Sequence, residues 1–384
     1  MPEKNRVALI IETSSGYGRQ LLEGIVRHMH THEEWSVFVE QRDITLPPPA
    51  WLSQWNGQGI ISRSTTPKFA EMVKESGIPF VDLTDRRPNS EALHVWSDDA
   101  AIGRLAAEHL MERGFKNFGC CGFKSEAWSD RRRRAFVSAV SESGSTCSVY
   151  DTPWHGATVQ PWEQGQQELV SWVRELPKPL GVMACNDLRG QHVLEACAKT
   201  GLTVPEEVAV VGVDDDQLFC QLCDPPLSSV IPNTKGVGYL AAELLAQLMA
   251  HQVVEQREHL IEPLGVAVRQ STDVVAIDNP HVAAALSFIR ENACRGITVE
   301  EVLHQVPVSR SNLERQLRKL LKRSPQQEIR NVQLKRAQQL LTATDLSIEQ
   351  IAVKCGFGHP EYLNVVFKRE LKMTPGEFRR SNQS

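Results

Sequence analysis

The feature that most limits what this chain can become is a repeat near its end. Thr298-Val-Glu-Glu301 and Ser347-Ile-Glu-Gln350 lie 49 residues apart, and both are capping boxes. Each has a hydroxyl residue at the cap and a Glu or Gln three positions on, and each opens a short apolar helix. Val299, Val302, Leu303 and Val306 share one face of the first helix, and Ile348, Ile351, Ala352 and Cys355 repeat that spacing in the second. The pairs Leu313/Leu363, Leu317/Phe367 and Ser324-Pro325/Thr374-Pro375 continue the repeat at an offset of 50, so the second copy carries one extra residue in its turn. A hydroxyl cap followed by proline at the first helical position starts a third helix in each copy.

Two short helices joined by a tight turn, the second polar and basic, form a helix-turn-helix that lays its second helix in the major groove. Here there are two, about 298–321 and about 347–371, separated by the helical pattern of Gln326 to Leu341. Ile348-x-x-Ile351-Ala352-x-x-Cys355-Gly356-Phe357, Tyr362-Leu363-x-x-x-Phe367-Lys368 and Thr374-Pro375-x-x-Phe378-Arg379 carry a resemblance to DNA-binding domains of the AraC/XylS family. Pro307 stands where that family's first turn usually has glycine; proline cannot take positive φ, so this turn must differ. The resemblance implies base-reading positions at Arg310, Ser311, Glu314, Arg315 and Arg318 in the first copy and Pro360, Glu361 and Asn364 in the second. Lys368 and Arg369 are then expected on phosphates. Val365 departs from a position that is often basic in relatives.

Charge agrees with promoter DNA as a partner. Residues 281–384 carry a net +7 while the rest carries −12, so an overall −5 conceals a basic module behind an acidic one. Phosphate attraction is local, and the acidic part discourages non-specific binding. No apolar run reaches the roughly 18 to 20 residues of a membrane helix, and Met1 to Arg6 is too polar for a signal peptide. A soluble, cytoplasmic, nucleoid-associated protein without membrane contact is expected. The odd count of nine cysteines suits reduced thiols. Cys220-Gln-Leu-Cys223 lacks the second pair a zinc site needs, so no metal or other cofactor is expected.

Upstream of the repeat, short apolar runs alternate with amphipathic helices. Val7–Ile11, Gly59–Ile61, Phe80–Leu83, Phe118–Cys121, Gly181–Cys185 and Val208–Val213 are strand patterns. Continuous apolar strands between helices mean parallel sheets covered on both faces, and about ten units are too many for one sheet. An α/β fold of two doubly wound lobes follows, with a ligand between them at the carboxyl ends of the strands.

Gly181-Val-Met-Ala-Cys-Asn186-Asp187-Leu-Arg189 and Val210-Val-Gly212-Val-Asp214-Asp215 resemble strand ends of the periplasmic-binding-protein-like effector domain of LacI-type repressors. Asp99-x-x-x-Gly103 and Arg132-x-x-x-Phe136 match that pattern too. The resemblance implies a sugar effector, D-xylose favoured, held by Tyr17, Arg19, Asp98, Trp128, Arg132, Asp187, Arg189 and Asp214. Asp187 taken alone is equally a helix cap. Trp128 offers an apolar face to the C–H side of a sugar ring.

The first strand begins at Val7, leaving no room for the amino-terminal headpiece of LacI-type repressors. A LacI-type effector domain at 1–273, a linker at 274–281 and an AraC-type reader at 282–384 resemble a family of bacterial sugar-responsive activators. That implies a homodimer and contact with RNA polymerase. Two other readings stay open at this stage. Asp214, Asp215 and Asp216 could serve a hydrolase as paired carboxylates, although the sequence has no nucleophile elbow, phosphate loop or metal constellation. The effector could also be another pentose, a hexose or a phosphorylated sugar.

Overall fold

The computed structural model describes residues 4–32, 35–43, 46, 49–84, 92–154, 162–273, 279–344 and 346–381. The chain packs as two units: Met1–Leu202 with Ala209–Asp273, and Thr203–Val208 with Val274–Ser384.

The first unit holds two sheets. In chain order its elements are β1 (Arg6–Ile10), α1 (Gly16–Thr31), β2 (Ser36–Val39), β3 (Gly59–Ser62), α2 (Pro67–Ser76), β4 (Phe80–Asp82), β5 (Leu93–Ser97) and α3 (Asp99–Glu112). They continue through β6 (Asn117–Lys124), α4 (Ala127–Glu142), β7 (Thr146–Pro153), α5 (Trp162–Glu175), β8 (Leu180–Ala184), α6 (Asp187–Thr200) and β9 (Val208–Val213). Last come α7 (Gln217–Leu222), β10 (Ser228–Ile231), α8 (Thr234–Met249), β11 (Glu258–Ile261) and β12 (Gly265–Ala267). One sheet runs β11-β5-β4-β3-β1-β2 and the other β12-β10-β9-β8-β6-β7, each a doubly wound order. The first sheet is parallel throughout, whereas β12 lies antiparallel on β10.

Both faces of the first sheet are covered, as continuous apolar strands require. Val7, Leu9 and Ile11 pack on α1 and α8 with Leu21, Ile25, Ala241 and Leu245, while Ala8 and Ile10 pack on Phe69 and Val73 of α2. Helices α1 and α8 approach until side chains are excluded: a Cβ on Gly24 would lie 2.1 Å from the Lys235 carbonyl oxygen, and one on Gly238 2.1 Å from that of Leu21. The chain passes between the lobes three times, at the β5–α3, β10–α8 and β11–β12 junctions. Alternation in the sequence missed α7, β10, β11 and β12, because these are short and follow polar or proline-broken stretches.

The second unit is helical: α9 (Pro280–Asn292), α10 (Val299–Gln305), α11 (Arg310–Leu321), α12 (Pro325–Ala343), α13 (Ile348–Lys354), α14 (Pro360–Leu371) and α15 (Pro375–Ser381). Of the expected linker, 274–278 lie outside the described residues, and Asn279 caps α9, so the helix starts two residues earlier than its apolar pattern suggested. The repeat is kept in detail. Lys322 and Lys372, 50 residues apart, both end a helix at positive φ (58° and 60°). The turns differ as Pro307 demands: Gly356 is left-handed at φ 73°, a value proline at the matching position 307 cannot take, and Val306 is extended at ψ 140° where its counterpart Cys355 has ψ 6°.

Both capping boxes form, the Thr298 hydroxyl accepting from the Glu301 N–H while the Glu301 carboxylate accepts from the Thr298 N–H at 2.7 Å. Thr298→Ala is therefore expected to lower the stability of this unit by about 1 kcal/mol. Urea denaturation followed by helical circular dichroism reads it, and an unchanged midpoint would show the cap to be idle.

Candidate ligand cleft and nucleic-acid interface

A cleft of about 690 Å³ opens at the carboxyl ends of the strands of both lobes. From the first lobe come Glu12, Ser14 and Tyr17 beyond β1, Arg63 to Thr66 beyond β3, Leu83 and Thr84 beyond β4, and Trp96 and Ser97 of β5, with Asp99 opening α3 at the crossing to the second lobe. The second lobe contributes Trp128, Arg132, Trp154, Asn186, Asp187, Asp214 and Asp216. Five of the eight residues expected there are brought together: Tyr17, Trp128, Arg132, Asp187 and Asp214.

Arg132 is the pivot. Its Nε donates to Asp99 Oδ1 at 2.8 Å and one terminal nitrogen to the Cys185 carbonyl at 2.8 Å, with Asp214 Oδ1 at 3.5 Å. The guanidinium also sits over the Trp128 ring, 5.0 Å from its centroid. Burial opposes its charge, but Asp99 and Asp214 outweigh that and hold it more firmly protonated than usual. A close approach makes the arrangement possible: a Cβ on Gly103 of α3 would lie 2.2 Å from the Arg132 carbonyl oxygen.

Asp187 and Asp214 play different parts. Ser229 Oγ donates to Asp187 Oδ1 at 2.6 Å and the Asp216 N–H to its Oδ2 at 2.9 Å, so both oxygens are taken by the protein. A Cβ on Gly212 would lie 2.4 Å from Oδ1, which is why glycine stands beside it. The cap of α6 is not Asp187 but Asn186, whose Oδ1 accepts from the Arg189 N–H. Asp214 and Asp215 both have positive φ, 109° and 49°. Strained backbone of this kind persists only where the surroundings impose it. The result turns Asp215 onto Arg269 at 2.6 Å and leaves Asp214 in the cleft.

Burial, with the Asp214 carboxylate adding to it, pushes Asp187 up to about 8, and burial lifts Asp214 to about 6 against the pull of Arg132 and Arg63. The folded unit thus keeps protons that the unfolded chain has lost above its ordinary carboxyl value of 3.8. Stability attributable to Asp187 is complete below about 4 and declines as pH rises towards about 8. Asp187→Asn stays neutral and is expected to flatten that decline. Urea midpoints of parent and variant across the range measure it, and parallel curves would sink the assignment.

Aromatic side chains close one wall. Trp128 meets Trp154 edge to face at 5.5 Å, and Trp154 stacks on Phe123 at 5.2 Å. Opposite them the Tyr17 hydroxyl hydrogen-bonds with Ser97 Oγ at 2.8 Å while Arg63, paired with Glu12, lies 4.4 Å over the Tyr17 ring.

Three expected residues fall outside the cleft. Arg19 donates to the Thr13 and Ser14 carbonyls and faces a groove on the outer side of α1, because a helix carries positions 17 and 19 to different faces. Asp98 is consumed as the cap of α3, accepting from the Ala101 N–H, and its neighbour Asp99 points inward. Arg189 lies over Phe123 and Tyr150 and donates to Thr152. Glu12, Arg63, Trp96 and Trp154 were missed, although each lies within two residues of the carboxyl end of a strand, the signal that picked out the others. Cys220 and Cys223 are buried thiols, both pushed up by burial.

In the second unit Leu313 and Leu317 are fully buried and Leu320 half-buried, which leaves Ser311, Arg315 and Arg318 exposed on α11. Arg310 is held by Glu300 at 2.7 Å and Glu314 at 3.3 Å, so both expected base readers Arg310 and Glu314 are occupied with each other here. On α14 Leu363, Val366 and Phe367 are buried while Glu361, Asn364, Val365, Lys368 and Arg369 are exposed, with Pro360 half-buried at its start. Arg369 pairs with Glu370 at 2.7 Å.

Comparison with known proteins matches both units. Residues 6–92 fit a XylR N-terminal domain, 107–272 a periplasmic binding protein-like domain, and 303–381 a helix-turn-helix domain. The Xylose operon regulatory protein of Haemophilus influenzae is 34% identical over 97% of this chain and 98% of its own length. Its namesake in Escherichia coli K12 is 30% identical over 99% and 98%. A solved xylose-binding transcription activator, xylR, matches with a TM-score of 0.82 at 29% identity over 99% of both chains. Among the described residues no helix is long and apolar enough to cross a membrane. Likeness sustained over nearly the full length of its relatives, through sheets and helix-turn-helix repeats alike, places this chain in the xylose operon regulatory protein family of transcription regulators.

Proposed function

We propose that the chain is a D-xylose-dependent activator whose residues 1–273 sense the sugar, 274–281 link, and 282–384 read promoter DNA. The observation that carries the sugar reading is the balance of charge in the cleft. Five carboxylates, Glu12, Asp43, Asp99, Asp214 and Asp216, and Asp187, which burial keeps protonated, face two guanidiniums, Arg63 and Arg132, each already paired with a carboxylate. A phosphorylated sugar would enter that field against repulsion, whereas a neutral polyol can donate hydroxyls to carboxylates and lay its C–H face on tryptophan. Asp214 is the direct acceptor, Arg132 holds it, and Asp187 supports the strand end from beneath. D-xylose is preferred because the relatives carry its name.

In this reading the sugar closes the two lobes about their three crossings, and that closure changes how a homodimer presents its reader helices and contacts RNA polymerase in the cytoplasm, on the nucleoid. The shift is bounded by the sugar's differential affinity for the open and closed forms. The protein binds without turning its ligand over. Calorimetric titration of D-xylose, D-ribose, L-arabinose, D-glucose and D-xylose 5-phosphate tests this, with recovery of unaltered sugar as the check for turnover. Saturable binding of D-xylose and none of the phosphate is expected; binding the phosphate more tightly, or consuming the sugar, overturns it. Trp128→Ala is expected to weaken D-xylose by about 0.5–1.5 kcal/mol, through loss of the aromatic face. An unchanged dissociation constant would return Trp128 to a purely structural part.

A further inference from the structure

Two of the nine cysteines meet inside the second unit. Cys294 lies in the 3₁₀ turn Ala293–Arg295 that follows α9, and Cys355 caps the carboxyl end of α13. The backbones around them touch: a Cβ on Gly356 would lie 2.8 Å from both the carbonyl carbon and oxygen of Cys294 and 2.7 Å from the Gly296 nitrogen. Gln333 of α12 clamps the same two segments, its Nε2 donating to the Ala293 carbonyl at 2.9 Å and the Gly356 carbonyl at 3.1 Å. Both thiols thus sit on segments whose backbones are in contact. Cys355 is buried, whereas Cys294 is partly exposed.

We propose that Cys294 and Cys355 are a redox-responsive pair that closes to an intramolecular disulfide and loosens the second helix-turn-helix on DNA. The chemistry of the pair is lopsided in the right sense. The neighbouring Cys355 thiol, together with the nearby Arg336 charge, draws the Cys294 thiol down to about 7, whereas burial pushes the other partly exposed thiol, Cys147, up to about 12. Cys294 is thus the thiolate that an oxidant meets. With a small disulfide such as oxidised glutathione, the Cys294 thiolate attacks one sulfur, the S–S bond breaks and one glutathione thiolate leaves. Cys355 then gives up its proton and attacks the Cys294 sulfur, releasing the second glutathione. Two protein thiols are oxidised, one glutathione disulfide is reduced to two thiols, and the two protons end on them.

Bond formation must bring the two sulfurs to about 2.05 Å. The movement falls on Gly356, the left-handed residue of the turn that sets the angle of α14 on α13. The DNA consequence rests on reading this unit as a DNA binder; the cross-link does not, so the two can fail separately.

The full-length protein is treated with oxidised glutathione, digested under acid conditions and analysed by mass spectrometry for a Cys294–Cys355 peptide. In parallel its affinity is measured for a duplex selected from a random pool by the reduced protein. The expected result is a cross-link that dithiothreitol reverses, a loss of affinity that returns with it, and neither effect in Cys294→Ser. In Cys355→Ala, Cys294 should stop at the glutathione adduct. A glutathione adduct on Cys294 of the parent without cross-link overturns the pair, and a cross-linked protein that binds the duplex as the reduced one does overturns the switch.

Discussion

Arg132→Met is expected to cost the first unit about 3–5 kcal/mol and to abolish its response to D-xylose, the largest effect of any single change in the cleft. The guanidinium is almost wholly buried and is the shared partner of Asp99 and Asp214, which burial would otherwise penalise. Removing it takes the paired guanidinium from Asp214 and leaves Asp99 with Arg131 alone in a poorly solvated space, so the protein must either protonate a carboxylate or open. Methionine fills much of the volume and keeps a contact on Trp128, so the loss reports charge rather than a cavity. Arg132→Lys separates geometry from charge. It restores one positive end but cannot serve Asp99, the Cys185 carbonyl and Asp214 together. Its stability should lie between parent and Met variant while its sugar affinity stays poor. Urea denaturation gives the first quantity and calorimetry the second. Should the Met variant match the parent within about 1 kcal/mol and still bind D-xylose normally, Arg132 would be neither pivot nor ligand holder.

The path from sequence to cleft shows where pattern reading succeeds. Strand ends could be found because apolar runs stop abruptly at polar residues, and whatever follows a parallel strand reaches the rim of the sheet. Hence strand-end position together with the LacI-type resemblance points to Trp128, Arg132, Asp187 and Asp214, all four of which line the cleft. The division of labour between them was not legible. Whether Asp187 or Asp214 is free to meet a ligand depends on Ser229 and the Asp216 N–H, long-range partners that no spacing in the sequence announces. Adjacent choices failed for local reasons: Asp98 and Asp99 are indistinguishable until a helix cap claims one of them. In the helical unit the repeat supplied its own internal control, so caps and buried leucines follow from comparing one copy with the other, while the altered turn at Pro307 follows from its departure from the family's glycine. The Arg310 pairing escaped, because Glu300 belongs to the preceding helix.

That pairing sharpens the expectation for DNA. With Arg310 paired to Glu300 and Glu314, Arg315 and Arg318 are, among the described residues, the exposed guanidiniums of α11 that hold no carboxylate, and Arg315 donates to Asn312 of its own helix at 3.1 Å. Arginine bidentate to guanine is the commonest specific contact, so Arg315→Ala should cost about 1–3 kcal/mol on the operator and little on random DNA. The second reader helix presents Glu361, Asn364 and Val365, which carry no positive charge, before Lys368 and Arg369. Arg369 is partly neutralised by Glu370, so Lys368 is the residue expected to carry the phosphate contact. Lys368→Ala should weaken operator and random DNA alike and lower the dependence of log affinity on log salt by about 0.9. Fluorescence anisotropy over a salt series with both duplexes measures the two variants together. Equal losses on both duplexes for Arg315→Ala, or a loss confined to the operator for Lys368→Ala, would reverse the assignment. Specificity would then lie with α14, and Asn364, able to bridge adenine through its amide, would be the side chain to substitute next.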